Sequence, residues 1–105
     1  HSREVINKLT VLASYIKDSE ISWRNYIMLG DEELLEPYSQ SRREVDSICR
    51  NLSVTVKYNP VEKERVDLLR RLINRNYSGN EEQMGAFRIK PFLINETLRN
   101  RAISR

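Results

Sequence analysis

A chain of 105 residues, 39% hydrophobic and 31% charged, is sized for one core and is richer in charge than an average globular domain, at roughly 25%. Three glycines and three prolines are too few for the turns of a sandwich or barrel, which leaves an all-α fold. The net charge of +3 is spread, with Arg42 and Arg43 near Glu44, Arg70 and Arg71 near Asp67, and Arg99 and Arg101 near Glu96, not gathered in the stripe that binding phosphates requires.

Val5, Leu9, Leu12, Ile16, Ser19, Trp23 and Tyr26 alternate spacings of four and three, one face of a helix, and Ile6, Ala13 and Ile27 widen it. The spacing predicts a helix over 3–29, roughly 40 Å long, stopped by Gly30. Asp31, Glu32 and Glu33 are acids suited to a helix N-terminus, and Pro37 is tolerated in a first turn. Tyr38, Val45, Ile48, Cys49, Leu52 and Val56 then carry a second helix to about Tyr58. Asn59 and Pro60 mark a sharp boundary, and Val61, Arg65, Leu68, Leu69, Leu72 and Ile73 predict a third helix ending near Tyr77.

Ser78-Gly79-Asn80 reads as a turn, and Gly85 and Pro91 are read as helix breakers across 78–91. Phe87, Ile89 and Phe92 are expected to pack from that connection. A short last helix with a thin apolar face is predicted at 92–103 from Ile94, Leu98 and Ala102. The expected architecture is an antiparallel, up-down-up-down four-helix bundle in one domain, residues 1–105. An even helix count would bring both chain ends to one pole, as insertion between two membrane spans requires. The start at His1 and Ser2, without Met, suggests an excised piece of a larger protein.

Little in the chain assembles a reaction. Cys49 is the one cysteine, so an internal disulfide and a paired-cysteine metal site are excluded, and a buried structural thiol is its expected role. His1 is the one histidine and lies at the terminus, which leaves no Cys–His nucleophile or metal cluster to propose. Three glycosylation triplets occur, at Asn51, Asn76 and Asn95, but such triplets arise often by chance. No catalytic residue, metal or cofactor is expected, and no stretch has the roughly 18 apolar residues of a membrane span.

The segment from Ser22 to Tyr38, with Arg24, Tyr26, Gly30, Asp31, Leu35, Glu36, Pro37 and Tyr38 in order, resembles the CHASE family of extracellular sensor domains in its third, four-helix subtype. Asn59 and Pro60, opening another Leu-rich helix, are similar to that family's second turn, and the likeness covers residues 5–75. It implies a periplasmic or extracellular input domain between two transmembrane helices, in front of a histidine kinase, chemoreceptor or nucleotide cyclase, with no catalysis of its own. A small-molecule or protein stimulus, homodimerisation in the full receptor and attachment to the membrane through flanking helices are the expected partners; nucleic acid is not. Arg24, Tyr26, Asp31 and Tyr38 are the candidate ligand-binding residues. Structural readings stand beside three of them: an ion pair or cap for Arg24, core or interface packing for Tyr26, and helix-terminal capping for Asp31. The rival overall reading is a free-standing helical interaction module without membrane links.

Overall fold

The computed structural model describes the backbone of residues 2–104 and the side chains of residues 3–86. Helix α1 runs Ser2–Leu29, a 3₁₀ turn covers Glu32–Leu34, α2 runs Leu35–Thr55 and α3 runs Pro60–Ser104. No strand occurs among the described residues, and the fold is all-α.

Local chemistry sets the two reversals. Gly30 takes φ of 67°, a left-handed conformation that lacks a Cβ penalty only in glycine, and its N–H donates to Tyr26 O at 2.8 Å. Asp31 then opens the next turn, accepting a hydrogen bond from Glu33 N–H at 3.0 Å on Oδ1. Gly30→Ala is therefore expected to cost about 1–2 kcal/mol, read as a lowered urea midpoint with an unchanged slope. At the second reversal Asn59 caps α3: its Oδ1 accepts from Glu62 N–H at 3.1 Å and its carbonyl from Lys63 N–H at 2.8 Å. Pro60 follows as the first helical residue, where a missing N–H costs nothing.

The chain forms two compact units, His1–Asn74 and Arg75–Arg105. In the first, α1 and α2 make a hairpin. Lys8, near the start of α1, donates to Thr55 Oγ1 at the end of α2 at 2.9 Å, while Asp18 and Ser22 face Pro37 and Ser41 across a shared cleft. The beginning of α3 returns along α2, where Arg70 Nη1 donates to Ser53 Oγ at 2.9 Å. Leu12, Ser19 and Tyr26 are buried from α1, Tyr38, Ser41, Val45, Cys49 and Leu52 from α2, with Val56 just beyond it, and Val66 and Ile73 from α3. In the second unit α3 continues as helix, with Tyr77 and Met84 buried.

Among the described residues three α-helices stand where four were expected. Ser78-Gly79-Asn80 and Gly85 lie inside α3, and the backbone stays helical past Pro91 to Ser104. Propensity is a weak prior: a glycine costs about 1 kcal/mol in a helix interior, which a long helix absorbs. A Cβ at Gly79 or Gly85 would meet nothing within 4 Å, and neither has the positive φ of a turn, so neither glycine marks a turn or a close approach. With three helices, the inference that both chain ends share a pole loses its premise. The expected packing of Phe87, Ile89, Phe92, Ile94, Leu98 and Ala102 lies outside the described side chains.

The faces also differ from expectation in places. The seven-residue beat of α1 points inward at Leu12, Ser19 and Tyr26, but Ile6 and Ala13 are exposed. On α3, Val61, Arg65, Leu68 and Leu72 are exposed, while Val66 and Ile73 are buried in the first unit and Tyr77 and Met84 in the second. A run such as Leu68-Leu69 followed by Leu72-Ile73 offers two overlapping helical stripes, and periodicity alone does not choose between them.

Candidate functional site

The four residues singled out from the sequence occupy the α1–α2 corner. Tyr26 and Tyr38 are buried in the core at either side of the reversal. Asp31 caps the 3₁₀ turn. Arg24 is exposed and pairs with Glu20 one turn back on its own helix, not with Asp31 or Glu36 across the corner. Glu36 lies 3.8 Å from Arg43 instead. Exposed pairs of this kind contribute about 0–1 kcal/mol, so they decorate the corner more than they hold it.

Concave surface in the first unit lies on either side of this hairpin's length. Next to the corner, Tyr15, Asp18 and Ser22 of α1 and Gln40, Ser41 and Glu44 of α2 line an open cleft of about 410 Å³. Its carboxylates and hydroxyls suit a polar solute, but none of its lining atoms is both shielded from solvent and without a hydrogen-bond partner. Toward the other end of the hairpin, a smaller cleft of about 210 Å³ has an aliphatic floor. Val5 and Leu9 of α1, Val56 after α2, and Val66 and Leu69 of α3 supply it, with Glu62 and Arg65 alongside. Glu62 Oε2 is shielded from solvent and accepts no hydrogen bond. Sequence reasoning missed this place, because Glu62 read alone is an ordinary first-turn acid and the cleft exists only once three segments meet.

Cys49 is buried, and burial pushes its thiol pKa up, opposed by the nearby Arg70 charge and reinforced by Asp46. The folded chain therefore holds this proton more tightly than the unfolded chain. The associated stability is intact below the unfolded thiol's pKa of about 8.5 and is lost as pH rises through the higher folded value. At pH 8, alkylation of Cys49 by iodoacetamide is expected to be at least tenfold slower in the native protein than in urea, with mass spectrometry as the readout. Among the described residues no group of three or more His, Cys, Asp or Glu is placed to hold a metal, and no helix is long and apolar enough to cross a membrane.

The corner with its glycine stop and Asp cap, the Asn-Pro opening of α3 and the helical hairpin between them together carry a family signature. The family model of the CHASE3 domain matches residues 1–89. The chain belongs to the CHASE3 family. Comparisons with curated proteins and with solved structures found no match. CHASE3 is a sensory domain family of signalling receptors and not a catalytic one, and CHASE domains are typically extracellular. The match extends past the central likeness of residues 5–75 to take in Gly79 and Gly85, so the CHASE3 pattern runs into the continuous helix α3.

Proposed function

We propose that this CHASE3 domain is the extracytoplasmic input domain of a membrane-bound receptor, a histidine kinase, chemoreceptor or cyclase, and that it works as a homodimer. Flanking transmembrane helices outside these 105 residues would carry a displacement of one helix against another inward. The observation that supports this reading is the family match over residues 1–89. The hairpin supplies what a relay needs: long helices in contact over most of their length, whose relative position a stimulus shifts if it binds two arrangements unequally.

The test is made on the full-length protein in intact cells, with Met28→Cys in a Cys49→Ala background. Met28 is 78% exposed, so a thiol there is open to reagent. A membrane-impermeant maleimide should label it without lysis. Labelling only after the cells are broken would overturn the extracytoplasmic assignment and favour a free-standing helical module.

A further inference from the structure

We propose that the turn between α2 and α3 rests on an anionic bilayer surface, with the Tyr58 ring in the headgroup layer and Lys57 against lipid phosphates. This deepens the receptor reading and rests on it, since that reading places a bilayer beside the domain.

The two poles of the hairpin carry opposite charge. Around the α1–α2 corner, residues 24–36 hold Asp31, Glu32, Glu33 and Glu36 against Arg24 alone. At the other pole the start of α1 meets the end of α2, where Lys8 donates to Thr55 Oγ1 and Val5 and Val56 line one cleft. Segments 3–8 and 54–63 there hold Arg3, Lys8, Lys57 and Lys63 against Glu4 and Glu62. An anionic surface attracts this pole and repels the corner, within a Debye length of about 8–10 Å. A span leading into α1 would also emerge here, because α1 starts at this pole.

The turn carries apolar surface that the core does not use. Tyr58 is 89% exposed, the highest value among the exposed large hydrophobics of the described residues, and Val54 and Val61 on either side of it are also exposed. Single exposed apolar residues are ordinary, but these three crowd one reversal. The Lys57 ammonium lies 4.8 Å from the centroid of the Tyr58 ring. Tyrosine and lysine together suit a bilayer–water interface: the ring sits at headgroup level, its hydroxyl stays wet, and the lysine stem carries its charge to a phosphate. Charge decides between the poles, because the corner also exposes Met28 and Leu29, but beside carboxylates that anionic headgroups repel.

The experiment adds bicelles of phosphatidylcholine mixed with phosphatidylglycerol to the uniformly nitrogen-labelled 105-residue chain at low salt, with amide NMR as the readout. A fraction of the lipid carries a headgroup nitroxide, whose unpaired electron broadens nearby amides even when contact is brief. Amides of residues 56–59 and 61 are expected to lose more than half their intensity, while those of 28–33 keep theirs. The loss should shrink in Lys57→Glu combined with Tyr58→Ser, two exposed positions, with chemical shifts elsewhere unchanged. It should also shrink in bicelles of phosphatidylcholine alone. The proposal is overturned if the turn keeps its intensity, if the corner broadens as much as the turn, or if either the double variant or the loss of anionic lipid leaves the effect unchanged. Labelling of Met28→Cys in cells reads the receptor assignment separately, so a turn that stays sharp while that thiol labels without lysis overturns the lipid contact alone.

Discussion

Leu52→Ala is expected to destabilise the domain by about 2–5 kcal/mol, lowering its melting temperature by ten degrees or more at the roughly 4–8 °C per kcal/mol of a domain this size. Leu52 is fully buried, at 0% exposure, in the last turns of α2. One residue on, Ser53 receives the Arg70 guanidinium from α3, and three residues on, Thr55 receives Lys8 from α1. Side chains from both neighbours are thus tied to α2 around Leu52, and the site cannot collapse freely to refill the lost volume. Leu52→Met keeps most of the volume and should cost less than about 1.5 kcal/mol. Val54→Ala, at an exposed position on the same helix, should stay within about 0.5 kcal/mol. Urea denaturation followed by circular dichroism reads all three. A Leu52→Ala loss no larger than that of Val54→Ala would mean that Leu52 is not packed in a core at this level.

Ser19→Leu should be nearly as damaging, for the opposite reason. Ser19 is 1% exposed on the inward face of α1, between Asp18 and Ser22, which line the polar cleft together with the buried Ser41 of α2. Small side chains on both helices leave no room for three further carbons. Overpacking of this kind costs about 1–3 kcal/mol, and here it forces α1 away from α2. Ser19→Ala separates volume from the hydroxyl and should cost about 1 kcal/mol or less. The single tryptophan, Trp23, stands one turn further along α1 and is half-buried. Its emission should shift to the red in Ser19→Leu and hold in Ser19→Ala.

Ser19 also shows how much of this molecule was legible in the sequence. A serine at the core position of an apolar beat was readable by its spacing, because a helix repeats its faces whatever the residue type. The corner was readable for the same reason: Gly30 followed by Asp31 states a helix stop and a cap in consecutive residues, and Asn59-Pro60 states the next opening. The length of α3 was not readable, because Gly79, Gly85 and Pro91 speak locally for a break and the helix carries through them. The predicted stripe of α3 was right at Ile73 and wrong at Leu68 and Leu72, because neighbouring leucines and isoleucine fit two stripes equally well. Which stripe faces the hairpin is a tertiary fact, fixed by Val66 and Ile73 finding the core.

The candidate site divides in the same way. Tyr26, Asp31 and Tyr38 were found by motif, and their positions in the fold are a core residue, a cap and a second core residue. The aliphatic cleft by Glu62 draws on three segments far apart in sequence, and no local pattern announces it. The two clefts lie toward opposite ends of one hairpin, so an occupant at either end bears on how α1 sits against α2.

That relation between α1 and α2 is what the proposed relay depends on, and cross-linking tests it directly. In the full-length protein, with Cys49→Ala, cysteines placed at Lys8 and Thr55 are joined by a short bismaleimide in native membranes, and output activity is compared with each single-cysteine control. Fixing the start of α1 to the end of α2 is predicted to shift basal output away from both controls. An efficient cross-link that leaves output equal to the controls would contradict signalling through displacement of these helices.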